Sequence, residues 1–160
     1  MRMKKILLFL FLAIGINAAA QTVGYSRRVL AADDSNVKYS VVKRDSAYYI
    51  IATISSVRTK FLPESTMLIK NFGGEVIKLK GSLIDNHTKS VGRVEENVIQ
   101  PETYVYSTAQ FRIIPEQFEL IKNGIAKVRL STIPVEHERT FRKDKIGRKL
   151  YQFYLKADDF

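Results

Sequence analysis

Alternation of apolar and polar residues limits the fold of this chain more than any other feature of the sequence. Val37, Tyr39 and Val41 alternate with polar residues, and the segment 126–132 shows the same period of two. Successive side chains of a β-strand point to opposite faces, so this pattern predicts strands with one buried face. The segment 48–54 is apolar on both faces, which predicts a central strand. We expect a mainly β (α+β) domain, built as an antiparallel sheet or a sandwich-like fold.

Two glycines, Gly73 and Gly74, separate two β-patterned segments and predict a hairpin. A type I′ turn needs positive φ at both central positions, which glycine adopts readily. A two-residue loop would set Leu68 opposite Leu79, whereas a three-residue loop would set two lysines opposite each other. Facing like charges are unfavourable, so the first register is expected.

Residues 82–102 have the weakest pattern in the chain. A segment of this length without any secondary structure is unusual in a compact domain. We expect an edge strand within it, near residues 90–98. The alternative is a long functional loop.

Two helices are expected in the second half of the chain. Pro115 suits the first position of a helix and Gly124 can end one in the left-handed conformation, which predicts a short helix near 115–123. Later, apolar residues recur at helical spacing while basic residues line another side, which predicts a C-terminal amphipathic helix near 142–156 that lies on the sheet. The apolar residues of this helix are Ile146, Leu150 and Phe153.

The start of the chain has the parts of a secretory signal peptide. A basic start precedes an apolar run at 6–16, and small residues then lead to a cleavage site before Gln21. The run is about half of the roughly 20 apolar residues that a membrane span needs, so no span is expected. We expect an exported product, soluble in the periplasm or outside the cell. The predicted parts are a removed leader at 1–20, an irregular lead-in at 21–36 and a single β-rich domain at 37–160.

The composition narrows the chemistry further. The chain has no cysteine, which excludes disulfides, thiol catalysis and cysteine-ligated metal sites. A domain of this size buries roughly two-thirds of its extended surface, so packing alone can stabilise it. The net charge is +10, of which the leader supplies three charges, and a basic exported protein attracts anionic lipid and polysaccharide.

Two sequence runs carry a resemblance to a known group of proteins. IPEQFELIKNGIAKVRLST and FRKDKIGRKLYQFYL, together with the Gly-Gly hairpin, resemble small uncharacterised secreted proteins of Bacteroidetes bacteria over about residues 37–155. The resemblance implies a β-sheet with a short helix and a terminal helix. It implies no catalytic residue.

No catalytic or cofactor motif is present. There is no nucleophile elbow and no phosphate-binding glycine loop, and Asp33-Asp34 lacks the spacing of a calcium loop. Glu136-His137-Glu138 is the densest group of possible metal ligands, but neighbours on a strand diverge, so an exposed histidine and no metal site are expected. Four carboxylates are available for glycoside chemistry without any sign of an opposed pair: Glu95, Glu96, Glu116 and Glu119. We assign no catalytic residue, metal or cofactor.

Two groups of residues are candidates for binding. Tyr104 and Tyr106 share one strand face and offer aromatic rings to a sugar, whereas Lys145, Arg148 and Lys149 on the terminal helix offer charge to a polyanion. The alternative is that the tyrosines serve β-propensity and the lysines are a solvated face.

These candidates favour an exported, non-enzymatic binding or envelope-associated module. Its partner is unknown from the sequence; surface polysaccharide or another polyanion is the candidate, and nucleic acid is not expected. The alternative is a hydrolase of an extracytoplasmic polymer. Glu or His side chains from distant segments meeting in one cleft would favour the enzyme. An exposed row of the two tyrosines and nearby lysines would favour binding.

Overall fold

A computed structural model describes residues 31–33 and 35–157 of the chain. This part of the chain forms strands through most of its length, with two helices near the C-terminal end. The strands are β1 Ala31–Ala32, β2 Val37–Arg44, β3 Ala47–Ser56, β4 Lys60–Phe61, β5 Glu64–Asn71, β6 Val76–Glu95, β7 Val98–Ile113, β8 Ile125–Leu130, β9 Thr132–Ile133 and β10 His137–Thr140, and the helices are α1 Pro115–Ile121 and α2 Gly147–Ala157.

One antiparallel sheet forms the body of the molecule. Its eight strands follow the order β1-β2-β3-β7-β6-β5-β8-β10, and β4 and β9 form a separate pair. The mainly β prediction is confirmed, and the form is a single sheet covered by two helices. The sheet curls strongly enough to bring its edges together, since Nε2 of His137 in β10 lies 3.6 Å from a carboxylate oxygen of Asp33 beside β1. The lead-in expected to be irregular thus contains β1 in its described part.

The core lies on the inner face of the curled sheet. Alternate residues of the strands in the body of the sheet point into it, as the sequence pattern predicted, and Val37, Tyr39 and Val41 of β2 are fully buried. The predicted central strand is β3, which pairs with β2 on one side and β7 on the other. The helices cover this face and bury Phe118 of α1 and Leu150 of α2.

The β5–β6 hairpin is present, but its predicted register is wrong by one residue. Met67 stands opposite Leu79 and Ile69 opposite Ile77. These four residues are buried on the inner face. Setting Leu68 opposite Leu79 would have turned one strand's apolar residues toward solvent, because a one-residue slip exchanges the two faces.

The turn of this hairpin also differs from the expected type I′ turn. Asn71 closes it: its backbone N–H donates to the carbonyl of Glu75 at 3.0 Å, and its Oδ1 accepts from the Glu75 N–H at 2.9 Å. Positive φ is needed at Gly74, where φ is 91°, and not at Gly73. The Asn71 side chain and the positive φ of Gly74 therefore set the turn, and Gly73 is not required in the left-handed conformation.

Residues 82–102 are neither a single edge strand nor a loop. They belong to β6 and β7, which pair from Gly81–Phe111 to Glu95–Val98 and reverse at Glu96-Asn97, where both residues have positive φ. Pairing of β5 to β6 ends at Ser82, and pairing of β3 to β7 ends at Val105. Residues 84–104 are therefore a two-stranded projection beyond the sheet, named here the arm.

The two helices match the prediction in position but not in every boundary. α1 spans Pro115–Ile121, and Gly124 has the left-handed φ of 117° that ends this region. α2 begins at Gly147 rather than near 142, because the Asp144 carboxylate folds back onto the backbone and holds the preceding residues out of the helix. Neither described helix is long and apolar enough to cross a membrane.

Candidate functional site

A dense group of cations precedes and begins α2. Residues 142–149, named here the basic segment, carry five basic side chains, and all five are exposed. These side chains are Arg142, Lys143, Lys145, Arg148 and Lys149. Within the described residues, the side chains of Arg142, Lys143, Arg148 and Lys149 form no ion pair.

The one acid of the basic segment, Asp144, is occupied by the backbone. Its Oδ1 accepts from the N–H groups of Ile125 at 2.9 Å and Gly147 at 2.8 Å, and its Oδ2 accepts from the Arg148 N–H at 2.9 Å. A carboxylate at this place also stabilises the helix, because its negative charge lies at the positive end of the helix dipole. The negative charge of Asp144 is thus directed at the helix terminus and β8, not at the neighbouring basic side chains.

Packing fixes the basic segment on the core. Ile146 is fully buried, and a Cβ at Gly147 would lie 2.7 Å from the backbone nitrogen of Ile125, so this position requires glycine. Arg148 and Lys149 stand in the first turn of α2, where the helix dipole is positive and added cations are unfavourable. The backbone that carries these exposed charges is therefore fixed on the core, and Arg148 and Lys149 stand where cations do not stabilise the helix.

The predicted tyrosine pair lies on the arm and at its base. Tyr104 and Tyr106 occupy the outer face of β7, with Lys89 opposite Tyr104. The ring of His87 stacks on Tyr106, with centroids 5.3 Å apart and planes 7° apart. The Tyr104 hydroxyl donates to Glu102 at 2.7 Å, and this hydrogen bond raises the pKa of the phenol. Both rings are half-buried, so each presents part of its surface to a ligand.

The structure does not join the two groups of predicted binding residues into one site. Tyr104 and Tyr106 face outward on β7, whereas Lys145, Arg148 and Lys149 lie on the inner side of the sheet, where α2 packs on β2 and α1. A tyrosine and a lysine next to each other do occur at Tyr104 and Lys89. This pair lies on the arm, separate from the basic helix, and the two tyrosine rings are half-buried rather than an exposed row.

A second group of cations, not singled out from the sequence, lies on the outer face of β6, β5 and β8. We name it the outer patch, and it consists of Lys70, Lys78, Lys80, Lys127 and Arg129. The cross-strand register sets Lys70 directly opposite Lys127. Glu138 of β10 contacts Lys127 and Arg129, each at 2.7 Å, and hydrogen bonds from these two cations lower the pKa of Glu138.

The signal for the outer patch was present in the sequence. Basic residues occupy the polar positions of three alternating segments, as in Lys78, Lys80 and Lys127. What the sequence did not show is that β8 pairs with β5, which brings the cations of distant segments side by side. Strand order therefore had to be known before the patch could be found.

A buried polar cluster joins the two edges of the sheet. Asp33 is fully buried and accepts from the backbone N–H of Ser35 at 2.9 Å, from the Ser35 hydroxyl and from the Tyr39 hydroxyl at 3.2 Å. The His137 side chain is only 15% exposed, so the expectation of an exposed histidine is wrong. Burial raises the pKa of Asp33, but the contacts with His137 and Ser35 outweigh it and leave the pKa lowered. Burial and the nearby carboxylate raise the pKa of Tyr39.

The carboxylates considered for catalysis lie on separate elements. Glu95 and Glu96 are at the end of the arm, whereas Glu116 and Glu119 are on α1. Glu119 accepts from the Tyr151 hydroxyl at 2.7 Å. Among the described residues, no three His, Asp or Glu side chains are placed to hold a metal ion.

Comparison with known proteins adds no functional information. The chain matches no protein-family model, no curated protein and no solved structure. The resemblance to secreted Bacteroidetes proteins therefore stays a prediction from the sequence.

Proposed function

We propose that this chain is an exported, non-enzymatic binding module that holds an acidic polysaccharide on the basic segment. The observation that carries the proposal is the charge of residues 142–149, where five exposed cations accompany a single acid, Asp144, whose carboxylate is bound to the backbone. Four of these cations, Arg142, Lys143, Arg148 and Lys149, form no ion pair within the described residues. A surface of this kind attracts polyanions and raises their local concentration.

The position of these cations supports a functional role. Arg148 and Lys149 oppose the helix dipole and so reduce the stability of α2. A sequence that keeps locally unfavourable residues usually does so at a functional site. An anionic group bound beside Arg148 would be attracted by the side chains of Arg148 and Lys149.

The rigidity of the segment supports the same role. Asp144 and Ile146 tie it to β8 and the core before any ligand binds. Less conformational entropy is then lost on binding than for a flexible basic tail. Polysaccharide is the polyanion we favour because the sequence predicts export, and cell-surface polysaccharides are encountered there.

The test is a comparison of two triple variants on immobilised heparin over a salt gradient. The triple Lys145→Gln, Arg148→Gln and Lys149→Gln removes charge from the basic segment. The matched control Lys78→Gln, Lys80→Gln and Arg112→Gln removes the same charge from exposed positions on the outer face. We expect the first triple to elute at clearly lower salt than the control, because specific contacts are lost together with net charge.

Equal shifts for the two triples would contradict the proposal, since bulk charge alone would then explain retention. An acidic bacterial exopolysaccharide in solution, titrated by calorimetry, provides a second readout. Binding that persists in the control triple and disappears in the basic-segment triple supports the assignment. Thermal unfolding of all variants checks that the fold is retained.

A further inference from the structure

The end of the arm exposes apolar side chains that nothing in the described chain covers. Val94 and Ile99 stand opposite each other on one face of the arm, and Val98 lies in the final rung opposite Glu95 and points to the other face. Their exposed fractions are 68% for Val94, 57% for Val98 and 71% for Ile99. Large aliphatic side chains clustered at the end of a projection mark an interaction site more often than scattered surface residues do.

The arm is long for a hairpin that pairs with no other strand of the described chain. A two-stranded hairpin is marginally stable in water, because it has no second layer to bury its side chains. Between its base and its end the arm carries mainly polar residues, such as Thr88, Ser90 and Thr103, with Val91 as its one aliphatic side chain. Its apolar residues are concentrated at the far end, which indicates that the end, rather than the shaft, meets a partner.

The carboxylates at the end of the arm indicate the kind of partner that it can contact. Glu95 and Glu96 flank the apolar side chains; Glu95 contacts Arg93 at 3.3 Å, whereas Glu96 has no ion pair within the described residues. We name Val94, Glu95, Glu96, Val98 and Ile99 the tip. An apolar tip with carboxylates fits an apolar surface bordered by cations, and it is repelled by an anionic lipid surface.

The outer patch of this chain has those properties. Leu68 of β5 and Val76 of β6 are apolar, Val76 is 63% exposed, and they border a shallow depression between β6, β5 and β8. The depression is lined by Leu68, Ile69, Lys70, Val76, Lys127 and Arg129. Lys78 stands opposite Leu68 and adds a fourth cation to the rim.

One feature of the depression is unfavourable while it is empty. Lys70 and Lys127 are directly opposite across β5 and β8, and facing like charges destabilise a sheet. Glu138 neutralises the Lys127 side, but Lys70 has no ion pair within the described residues. A carboxylate from a second molecule would complete the charge balance at Lys70.

We propose that the tip of one copy of this chain docks in the depression on the outer patch of a second copy. Tip and depression are different surfaces of one molecule, so the contact is heterologous and can continue from copy to copy or be exchanged between two copies. The contact is small, so self-association is weak and depends on protein concentration. It is independent of polysaccharide binding by the basic segment.

The experiment is sedimentation velocity of the purified protein over a concentration series at low salt. A tip variant, Val98→Asp with Ile99→Asp, removes the apolar end of the arm. A patch variant, Lys70→Glu with Lys78→Glu, reverses the charge of two residues at the rim of the depression. The matched controls are Val57→Asp with Val135→Asp, which are equally exposed apolar positions, and Lys143→Glu with Lys149→Glu, which make the same charge change elsewhere.

The parent protein and both controls should self-associate, and the tip and patch variants should each lose at least about tenfold in affinity. Mixing the tip variant with the patch variant should restore a 1:1 complex and nothing larger, because each keeps one intact half of the contact. Circular dichroism and thermal melts confirm that the variants are folded.

Three results would overturn the proposal. The parent protein could remain monomeric to millimolar concentration, the tip variant could behave like its control, or the mixture could fail to associate. Binding to phosphatidylglycerol vesicles is measured as a separate experiment. Vesicle binding that requires the tip, by a protein that stays monomeric, would assign the tip to a membrane surface instead.

Discussion

Asp33 has more partners than any other single side chain near the N-terminal end of the described chain. It follows β1, and its carboxylate receives hydrogen bonds from Ser35 and Tyr39 while His137 approaches from the opposite edge of the sheet. The charge is fully buried, so its stability depends on these contacts. Each contact favours the ionised carboxylate.

This arrangement predicts how stability changes with pH. The pKa of Asp33 is lowered in the folded protein from an ordinary value of 3.8. The resulting stability is complete above the unfolded pKa and is lost as the pH falls through the folded pKa. Urea unfolding from pH 7 to pH 2.5 should therefore show a decline below about pH 4 that is smaller in Asp33→Asn.

The Asp33→Asn variant should also be less stable at pH 7, by about 1–3 kcal/mol, since a neutral amide replaces a carboxylate that accepts several hydrogen bonds. Asp45→Asn, at an exposed turn, is the matched control. If the parent and Asp33→Asn lost stability in parallel over the acid range, another carboxylate would be responsible.

Little of this cluster could be predicted from the sequence. Asp33 and His137 lie in distant segments, and each alone has the neighbours of an ordinary polar residue. Their contact exists because the sheet curls until its edges meet, which depends on the twist accumulated over all the strands. The alternation that predicted the buried face of β2 contains no information about that curl.

At the scale of whole elements, the arm is nearly independent of the body. Its residues beyond Ile84 are exposed on β6, and neither β5 nor β3 pairs with it. The body should therefore fold without it. Replacing residues 89–104 with Asn-Gly would close the hairpin after the Thr88–Val105 pair, with a turn that suits two antiparallel strands.

We expect this shortened chain to unfold cooperatively at a temperature close to that of the parent, as measured by calorimetry. Gly81→Ala in the same β6 strand is the contrasting variant. A Cβ there would contact the Gln110 carbonyl oxygen and the Phe111 ring, so this single methyl group should destabilise the protein far more than loss of the arm. A large drop in melting temperature for the shortened chain would show that the arm contributes to the core.

The elements differ in how well the sequence predicted them, for a physical reason. β2, β3 and β8 each bury residues on the core, and their patterns show it. The arm is exposed on both faces, so its sequence has no apolar alternation. Its two strands are recognised only from their pairing in the structure and from the turn at Glu96-Asn97. The start of α2 was misplaced because Asp144 binds the distant Ile125 backbone, a contact that helical periodicity cannot indicate.

At the scale of the whole molecule, α2 completes the core. It packs on β2 and α1, and it buries Leu150 and Ala157, while Ile146 is buried just before it. Ending the chain after Phe141 removes these residues and uncovers the inner face of the sheet. We expect the truncated protein to lose its cooperative unfolding transition and to bind a hydrophobic dye, because a large apolar patch becomes exposed.

Leu155→Ala is the control for this truncation. Leu155 lies on the same helix but is 53% exposed, so its removal should change the unfolding free energy by about 0.5 kcal/mol or less. Calorimetry and dye fluorescence measure both variants. A truncated chain that melts as sharply and as late as the parent would show that the sheet is stable without α2.

The meeting of the sheet's two edges has a consequence for the order of events during synthesis. Asp33, beside β1, contacts His137 of β10, and β2 packs on α2. β10 and α2 are the last elements of the described chain to be synthesised. No shorter N-terminal fragment can close the sheet or cover its inner face. The described domain can therefore complete its native fold only after its C-terminal helix has been synthesised.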